Sequence, residues 1–490
     1  MSRVNRRAAS GGRIDRNKPL GFTFNGRSYQ GYAGDTLASA LLANGVSLVG
    51  RSFKYHRPRG FVAAGSEEPN GLVQLETGAH TRPNMKATQV ELYDGLVARS
   101  QNCWPSVEHD FGQVADVFAK ILPAGFYYKT FMWPSSFWMK YEYFIRRAAG
   151  LGRAPEAPDP DIYDKMHATC DVLVVGGGPA GLAAALEAAR SGARVILADE
   201  QAEWGGALLG RREVVNELSG AEWAARMAEE IASHPEARVL KRATVFGYYD
   251  HNFLAIAERR TDHLGPKADA GQARERLWKV RAKQVVLATG SIERPLVFAD
   301  NDRPGVMLAD AARTYCNRYG VLPGSRAVVF ANNDGAYGAA IDLADAGVSV
   351  AAVVDARAEA TGPLPQRARE RGIEVLAGHA VVGVHGAKHV SAVDVMLLNP
   401  EGTKAHGTPR RIECDLVAMS GGWSPTVHLL SQSGGKLHYC ENRLCFVPAS
   451  SKQQERSAGA CNGTFGLADC LDEGVAAGRA AAEAAGFAPG

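Results

Sequence analysis

A glycine-rich turn at residues 176–181, which reads Gly-Gly-Gly-Pro-Ala-Gly, carries the clearest pattern for ligand chemistry in this sequence. The run Asp-Val-Leu-Val-Val at 171–175 predicts a buried strand before the turn, and the alanine-rich stretch after it predicts a helix. In such a turn Gly176 permits the tight bend, Gly178 lets the backbone approach a pyrophosphate, and Gly181 lets the helix pack on the strand. The helix N-terminus adds amide donors and a positive dipole. The pattern indicates a dinucleotide site, and the alternative is a glycine turn that binds nothing.

Two carboxylates, Asp199 and Glu200, follow about 20 residues after the glycines, where the next predicted strand at 194–198 ends. An acid at this position accepts hydrogen bonds from ribose hydroxyls and opposes a 2′-phosphate. The sequence therefore favours NAD over NADP as the ligand of the first βαβ unit.

Other candidate contacts of this site lie in ordinary turns, for which plain loop structure is the alternative. Gly205 and Gly206 follow the two acids, Thr289 and Gly290 end a predicted strand, and Asp469 precedes an alanine-rich helix. The predicted dinucleotide-binding residues are Gly176, Gly178, Pro179, Ala180, Gly181, Asp199, Glu200, Gly205, Gly206, Thr289, Gly290 and Asp469.

A second βαβ unit is predicted from strands at 327–330 and 348–354 with a helix from Gly338 between them. Where a second glycine fingerprint would stand, residues 331–336 read Ala-Asn-Asn-Asp-Gly-Ala. Side chains occupy positions that need bare backbone, and the carboxylate of Asp334 would oppose a phosphate. The sequence predicts that this unit holds no second pyrophosphate.

The loop at 51–60 carries four permanent cations, Arg51, Lys54, Arg57 and Arg59. Such a loop can grip a phosphate or the acidic face of a partner. The alternative is a solvated basic turn, because runs of charge usually face water.

The N-terminal region has the pattern of a strand–turn–strand–helix unit. Asn25 and Gly26 favour a tight hairpin between strands at 21–24 and 27–32, and Asp35 stands at the expected N-cap of a helix. This order predicts a small β-grasp domain. The helix is predicted at 36–43, and two further strands are predicted at 71–75 and 90–93.

Composition excludes several classes of protein. The 490 residues are 46% hydrophobic and 22% charged with a net charge of +3, which excludes a disordered or fibrous chain and is far less basic than a nucleic-acid binder. No stretch reaches the roughly 18 uncharged apolar residues of a membrane span, and residues 1–16 lack the apolar core of a secretory signal. The eight scattered cysteines form no CxxC pair and match no zinc or disulfide framework. We expect a soluble cytoplasmic protein with no metal site, no redox-active disulfide, and neither nucleic acid nor membrane as partner.

Residues 103–150 are crowded with aromatic side chains, each of which can bury about 150–250 Å². So large an apolar area either packs across the chain's own domains or forms a contact with another subunit. The aromatic residues are Trp104, Phe126, Tyr127, Tyr128, Phe131, Trp133, Phe137, Trp138, Tyr141, Tyr143 and Phe144.

Over nearly all of residues 10–485 the sequence resembles the α subunit of heterotetrameric sarcosine oxidases, which are related to α subunits of proline, opine and amine dehydrogenase complexes. Long shared strings carry the resemblance and are more specific than the glycine fingerprint alone. They are GRIDR at 12–16, AGDTLASALL at 33–42, RSFKYHRPRG at 51–60, FYYKTFMWP at 126–134, GGGPAG at 176–181, ANND at 331–334 and SGGWSPTVHLL at 420–430.

The resemblance implies a function for the assembly. Such enzymes demethylate sarcosine oxidatively to glycine, formaldehyde and hydrogen peroxide, at an FAD in the β subunit. Electrons pass to an FMN between the α and β subunits, small γ and δ subunits complete the assembly, and the α subunit holds NAD. On this view the chain has no catalytic residue for the small-molecule amine, and we expect some of Arg51, Lys54, Arg57 and Arg59 to face the β subunit and help hold the FMN phosphate.

The same resemblance implies an α/β fold with two Rossmann-like three-layer nucleotide-binding domains of the disulfide-oxidoreductase type, preceded by a small ferredoxin-like β-grasp domain. The predicted segments are a basic tail at 1–15, the β-grasp domain at 16–102, an aromatic-rich interface segment at 103–165, the first part of the dinucleotide-binding domain at 166–294, a degenerate nucleotide-binding-like domain at 295–415, and a return to the dinucleotide-binding domain at 416–490.

Two departures from that family qualify the expectation. Its full-length members continue into a folate-binding domain that this sequence lacks, so we do not expect folate chemistry unless another chain supplies that domain. Related dehydrogenase subunits use four cysteines of the β-grasp region for a [2Fe–2S] cluster, whereas Cys103 is the first cysteine of this sequence. Because a cluster needs thiolates, we expect no iron–sulfur cluster. Alternative functions are a stand-alone flavin reductase that uses FAD and NAD(P)H, a subunit of a related dehydrogenase, and an assembly scaffold.

Overall fold

The structure is a computed structural model, and it describes residues 5–119, 133–148 and 150–488. The chain divides into two compact units, one made of Met1–Pro160 with Pro295–Gly422, the other of Asp161–Arg294 with Trp423–Gly490. Each unit is described by itself below. In the described residues no helix is long and apolar enough to cross a membrane.

The strands, in chain order, are β1 Asp15–Phe24, β2 Arg27–Ala33, β3 Gly50–Arg51, β4 Pro58–Arg59, β5 Leu72–Leu75, β6 Arg82–Lys86, β7 Leu96–Ser100, β8 Tyr163–Val175, β9 Val195–Ala198, β10 Val214–Val215, β11 Leu218–Ser219, β12 Ala237–Leu240, β13 Ala243–Tyr249, β14 Phe253–Arg259, β15 Glu275–Leu287, β16 Ser291–Glu293, β17 Val306–Leu308, β18 Arg326–Ala331, β19 Ser349–Asp355, β20 Val375–Ala377, β21 His379–His385, β22 Ala392–Leu398, β23 Ala405–Glu413, β24 Leu416–Ser420, β25 Trp423–Pro425, β26 Lys436–Cys440, β27 Cys445–Ser450 and β28 Glu455–Ser457.

The α-helices are α1 Leu37–Ala43, α2 Val114–Val117, α3 Trp138–Ala148, α4 Pro179–Arg190, α5 Gly220–Ser233, α6 Ala309–Tyr319, α7 Gly335–Asp345, α8 Pro363–Glu370, α9 His428–Ser433 and α10 Leu467–Ala484. Short 3-10 helices lie at Gly78–His80, Phe111–Gln113, Ser135–Phe137, Gly206–Gly210, Asp262–Lys267 and Gly459–Asn462.

The N-terminal part of the first unit is a five-stranded sheet in the order β2-β1-β7-β5-β6. The predicted hairpin is confirmed: Asn25 and Gly26 both have positive φ and join paired β1 and β2 in a two-residue turn. Buried Phe22, Phe24 and Leu41 supply part of the core between this sheet and helix α1. The aromatic pattern of β1 thus fixes which face of the sheet turns inward.

Two local predictions in this region are wrong. Thr36, not Asp35, caps helix α1, because the Thr36 hydroxyl accepts the N–H of Ser39. The Asp35 carboxylate is buried in an ion pair with Arg7, 2.6 Å away. The strand expected at 90–93 lies instead at 96–100, where β7 pairs with both β1 and β5.

The second part of this unit holds a five-stranded parallel sheet in the order β17-β24-β18-β19-β20. Helix α7 connects β18 to β19 and is buried along most of its length. A three-stranded antiparallel sheet, β21-β22-β23, follows β20. The predicted second βαβ unit is confirmed by this topology.

The other unit is built on a sheet in the order β12-β9-β8-β15-β14-β13, with β28 also paired to β15. Strands β12, β9, β8, β15 and β28 are parallel, whereas β14 and β13 continue the sheet antiparallel. Helix α10 packs closely on α4, because Cβ atoms at Gly474 and Gly478 would overlap the carbonyl oxygens of Ala180 and Ala184. This packing holds α4, whose N-terminus faces the glycine turn, against the sheet.

Candidate dinucleotide site

The glycine turn between β8 and α4 needs two of its glycines for steric reasons. Gly176 has a φ of +105°, and a Cβ there would overlap the carbonyl oxygen of Ala288. A Cβ at Gly181 would overlap the carbonyl oxygen of Gly176. Any larger residue at either position would separate α4 from the strand it packs on.

Gly178 is different, because among the described residues, its own chain neighbours aside, no atom lies within 4 Å of where its Cβ would be. It is the N-cap of α4, and Pro179 takes the first helical position, where its missing N–H costs nothing. The amides of Ala180 and Gly181 lie in the first turn, where a helix has no internal partner for its N–H groups. The open space beside Gly178 and these donors together form an anion cradle.

The loop after β9 closes on this turn. The N–H of Gly205 donates to the carbonyl oxygen of Gly177 at 2.9 Å, and a Cβ at Gly206 would lie 3.1 Å from the Cα of Gly178. The structure therefore brings Gly205 and Gly206 beside the fingerprint. The indole of Trp204, which sequence reasoning missed, packs against Gly177.

Asp199 lies directly after β9 and binds the glycine turn itself. Its Oδ2 accepts the N–H of Gly177 at 2.6 Å, and its Oδ1 accepts the N–H of Gln201 at 2.8 Å. Glu200 is half-buried next to it, and its carbonyl oxygen accepts a hydrogen bond from Arg259 at 3.0 Å. Asp199 therefore braces the backbone of the turn from the position where a ribose-binding acid is expected.

Thr289 and Gly290 are adjacent to the turn through Ala288. The Thr289 hydroxyl donates to the carbonyl oxygen of Thr426 at 2.7 Å, and the carbonyl oxygen of Gly290 accepts the N–H of Thr426 at 3.0 Å. These bonds tie the end of β15 to the segment after β25. Gly290 has a φ of +73° and open space around its Cβ position.

At the start of α10, Asp469 is exposed in the first helical turn, and its carboxylate lies beside Gly466. Near the glycine turn it is Gly459, not Asp469, that contacts α4: a Cβ at Gly459 would lie 2.8 Å from the Cβ of Ala180. The N–H of Gly459 donates to Glu473 at 2.7 Å. Gly459 escaped sequence reasoning because a lone glycine between alanines carries no motif.

The corresponding turn of the second βαβ unit binds the chain's own side chains. The amide of Asn333 donates to the Ser420 hydroxyl at 2.9 Å. Asp355, the fully buried last residue of β19, accepts a hydrogen bond from the hydroxyl of Tyr337 at 2.7 Å and pairs with Arg357 at 2.7 Å. Burial and the Asp355 carboxylate raise the pKa of Tyr337, so its hydroxyl keeps its proton.

Arg57 and Arg59 of the basic loop form ion pairs with acids that lie far away in sequence. The Arg57 guanidinium contacts Asp300 and is 3.2 Å from Asp302, and Arg59 contacts Asp302. Lys54 lies over the ring of Tyr55, 4.9 Å from its centroid. Two of the four cations are thus neutralised within the first unit.

Arg51 is buried, with 4% of its surface exposed, and all its bonds go to neighbouring loop segments. Burial lowers its pKa. The acceptors are the carbonyl oxygens of Val107 (2.6 and 2.8 Å), His56 (3.1 Å) and Glu108 (3.4 Å), and Oε1 of Gln113 (3.1 Å). The five N–H donors of the Arg51 guanidinium are matched by five hydrogen bonds to the neighbouring loop segments. Arg51 therefore holds the loop in shape and has no donor left over for a phosphate.

The aromatic side chains that the structure describes in this segment are exposed, except for half-buried Tyr141. Trp104 has 69% and Trp133 has 84% of its surface exposed. The predicted aromatic residues Phe126, Tyr127, Tyr128 and Phe131 lie outside the described residues.

A sequence model of the pyridine nucleotide-disulphide oxidoreductases matches residues 170–444, more than half of the chain. The chain belongs to this family. The range begins at β8 and includes both βαβ units, so the Rossmann-type fold of mixed α/β sheets is that of a pyridine nucleotide-disulphide oxidoreductase.

Curated relatives of this pyridine nucleotide-disulphide oxidoreductase include two sarcosine oxidase α subunits. The chain is 49% identical over 467 residues to that of Rhizobium meliloti (strain 1021) and 41% identical over 481 residues to that of Corynebacterium sp. (strain P-1). These matches cover 95% and 97% of the chain but 46% and 44% of the relatives. The chain thus spans about half the length of the curated relatives it matches.

Among solved structures, the fold is similar to that of L-proline dehydrogenase from P. horikoshii, with a TM-score of 0.66 at 18% identity. The match covers 99% of this chain and 77% of that one. At this identity the likeness concerns the fold alone.

A second sequence model, a 2Fe-2S iron-sulfur cluster binding domain, matches residues 17–103. This match contradicts the expectation that the chain carries no iron–sulfur cluster, and that prediction is withdrawn. Clusters of this type are held by Cys thiolates, and the matched range contains one cysteine, Cys103, at its last position. Among the described residues no group of three or more His, Cys, Asp or Glu side chains is placed to hold a metal ion.

Within that range, residues 62–71 fold around the buried carboxylate of Glu68. The carboxylate accepts the N–H groups of Val62, Ala63, Asn70 and Gly71 at 2.6 to 3.0 Å. A [2Fe–2S] cluster of the usual type needs four Cys thiolates, whereas the matched range has one cysteine and a buried carboxylate that binds backbone N–H groups. The proposed function does not depend on a cluster.

Proposed function

We propose that this chain is the dinucleotide-binding part of the α subunit of a multi-subunit sarcosine oxidase. The observation that carries the proposal is the open cradle at Gly178 in a chain 49% identical, over 95% of its length, to a protein of that name. The reaction is the oxidative demethylation of sarcosine, or a similar secondary N-methyl amine, to glycine, formaldehyde and hydrogen peroxide. This chain serves it as a binding and assembly subunit and holds no substrate-oxidising residue.

The ligand of the cradle is NAD, which in this proposal is held without turning over. The amides of Ala180 and Gly181 and the bare backbone at Gly176 and Gly178 hold the pyrophosphate. Glu200 lies where a side chain meets the ribose hydroxyls, while Asp199 keeps the turn in shape through its bond to Gly177. Gly206, Thr289 and Gly290 lie beside the same turn, and Asp469 lies in the first turn of helix α10.

Partner chains supply the remaining chemistry in this proposal. A β subunit carries FAD, the FMN lies between α and β, and small γ and δ subunits complete a heterotetramer. The exposed aromatic residues at 104–118 and 133–144 are the surface that such a partner covers. The basic loop at 51–60 faces the FMN in the same proposal; its Arg51 is bonded to loop carbonyl oxygens, and its Arg57 is paired with Asp300 and Asp302. Eight free cysteines in the chain favour a cytoplasmic location.

The five-stranded sheet with α1 is, in the same proposal, a β-grasp domain. The domain limits at 15/16, 102/103 and 294/295 are those proposed from the sequence. The proposed limits at 165/166 and 415/416 differ from the structure, because the first would cut β8 and the second would separate β24 from its partners β17 and β18; the compact units change at 160/161 and 422/423 instead.

A stand-alone flavin reductase would need two open dinucleotide sites. The second unit disfavours this function, since Tyr337 and Arg357 bind the buried acid Asp355 where the second nucleotide would bind.

The test replaces Gly178 by Val in the chain co-expressed with its neighbouring subunits, followed by mass spectrometry of the nucleotides released on denaturation. Because the Cβ position of Gly178 is open, the variant should fold normally, and the NAD content of the purified complex should fall at least tenfold. Gly271→Val is the matched control, since this glycine also has ordinary φ and only Asp269 Oδ1 near its Cβ position, at 3.7 Å. FAD as the nucleotide of the purified chain, or full NAD retention in Gly178→Val, would overturn the assignment.

A further inference from the structure

The hairpin β26–β27 ends in two cysteines that face each other across the strands. Cys440 is the last residue of β26, Cys445 is the first of β27, and they are direct partners in the antiparallel register. Directly opposed residues have Cα atoms about 4.5 to 5.5 Å apart, within the roughly 4.4 to 6.8 Å that a disulfide spans. Both thiols are free. The hairpin thus places two thiols at bonding range without any movement of the backbone.

The two thiols have different surroundings. Cys440 is partly exposed, and Nη1 of Arg443 donates to its sulfur at 3.6 Å. Hydrogen bonds from the backbone and side chain of Arg443 lower the pKa of Cys440. Cys445 is buried, with 3% of its surface exposed, and burial raises its pKa. A partly exposed thiol with a lowered pKa beside a buried thiol is the arrangement of an attacking and a resolving cysteine.

Other cysteines of the chain lack this combination. Cys170, Cys414 and Cys461 are buried, and burial raises the pKa of each. Cys103 is partly exposed, but burial and the nearby Asp110 raise its pKa to about 11. These residues serve as internal controls for the reactivity of Cys440.

We propose that Cys440 and Cys445 form a peroxide-sensitive thiol pair that closes to a disulfide. The Cys440 thiolate attacks one oxygen of hydrogen peroxide, the O–O bond breaks, and hydroxide leaves, so that Cys440 becomes a sulfenic acid. The sulfur of Cys445 then attacks the Cys440 sulfur, the S–O bond breaks, and water leaves with the Cys445 proton. Two thiols and one peroxide give one disulfide and two waters, the thiols being oxidised by two electrons and the peroxide reduced.

The product of the proposed function is the oxidant that this pair consumes, but the pair's reactivity follows from the hairpin and Arg443 alone. Added peroxide therefore tests it without amine substrate or partner subunits. Failure of this test would leave the proposed function standing, and loss of the NAD assignment would leave this pair standing.

The test uses the full chain, reduced, desalted and treated with a small excess of hydrogen peroxide. Trypsin cleaves after Lys436, Arg443 and Lys452, so that Cys440 and Cys445 fall on separate peptides, 437–443 and 444–452. Non-reducing mass spectrometry should find these two peptides joined, in most of the treated protein and in little of the untreated. Absence of the joined pair, or preferential joining of either peptide to another cysteine, would overturn the proposal.

Two variants test the order of the steps. Cys445→Ser should stop at the sulfenic acid, which dimedone traps on peptide 437–443, whereas Cys440→Ser should give neither adduct nor link. Cys103→Ser is the control and should form the link as the unchanged chain does. A sulfenic acid trapped on Cys445 in Cys440→Ser, at the rate seen for Cys440, would contradict the assignment of Cys440 as the attacking residue.

Discussion

The unit β8–α4–β9 and the unit β18–α7–β19 share one order of elements: a buried strand, a turn, a helix and a parallel neighbouring strand. Their turns differ in side chains. The first has glycine where the second has Ala331, Asn333 and Ala336. In the first, the space beside Gly178 is open.

The acid at the end of the second strand also has a different task in each unit. Asp199 binds the backbone N–H of Gly177 and supports the open turn. Asp355 binds the side chains of Tyr337 and Arg357. A βαβ frame can therefore form without an open ligand site, because strand and helix pack in the second unit without a glycine at the position that corresponds to Gly178.

The largest effect is expected from Gly181→Ala. The added Cβ would overlap the carbonyl oxygen of Gly176, so the free energy of unfolding should fall by about 3 kcal/mol and NAD retention should be lost. Urea unfolding and nucleotide analysis measure the two outcomes. Gly338→Ala in the second unit is the control: its nearest contact is the flexible Arg313 side chain at 3.4 Å, and a helical Gly→Ala change gains up to about 1 kcal/mol. If the two variants were equally stable, the steric overlap at Gly181 would not explain why the first turn needs glycine.

A smaller effect is expected from Tyr337→Phe in the second unit. Loss of the hydrogen bond to Asp355 should lower the free energy of unfolding by about 1 kcal/mol, since Arg357 still pairs with the carboxylate. The nucleotide content should stay the same. Tyr439→Phe, at an exposed ring, is the control and should change neither quantity. Uptake of a second nucleotide by Tyr337→Phe would show that one side chain alone closes the site.

The smallest effect concerns acid stability, in which the two units should agree. Asp415 precedes β24 and accepts the N–H groups of Ser325 and Arg326, both at 2.8 Å. Burial would raise the pKa of Asp415, but these bonds and Arg6 outweigh it and hold the pKa below its ordinary value. A carboxyl with a lowered folded pKa stabilises the fold above about pH 4 and loses that contribution as the pH falls.

Asp415→Asn should therefore flatten the loss of stability between about pH 5 and pH 3, by about 1 kcal/mol or less, in unfolding curves measured at several pH values. Asp171→Asn should flatten the same loss of stability through the sheet that contains the unit β8–α4–β9. Asp171 lies within β8 and accepts the N–H of Arg194 at 2.9 Å, and hydrogen bonds from Lys283 and Arg194 outweigh burial and lower its pKa. A change in one variant and none in the other would show that the two sheets are anchored differently.

Local patterns in the sequence were sufficient for several features. The hairpin at Asn25 and Gly26 was predictable because few residues adopt positive φ twice in succession. The open first turn and the closed second turn were predictable because bare backbone at a pyrophosphate requires glycine, and Ala331 to Ala336 lack it where it is needed. The cap at Thr36 was missed by one residue, since Asp35 and Thr36 are equally good caps until Arg7 binds one of them.

Other features depended on residues that are distant in sequence. The basic loop looked like a phosphate grip, yet Arg57 meets Asp300, 243 positions away, and Arg51 is buried under the carbonyl oxygens of residues 107 and 108. Cys440 and Cys445 matched no redox motif, because their four-residue spacing becomes a contact only when β26 and β27 pair. The amino-acid sequence by itself determined the elements and the backbone freedom of the dinucleotide turn, since both depend on neighbouring residues; the tertiary structure alone decided which charges and thiols have partners, because those partners are brought together by chain packing.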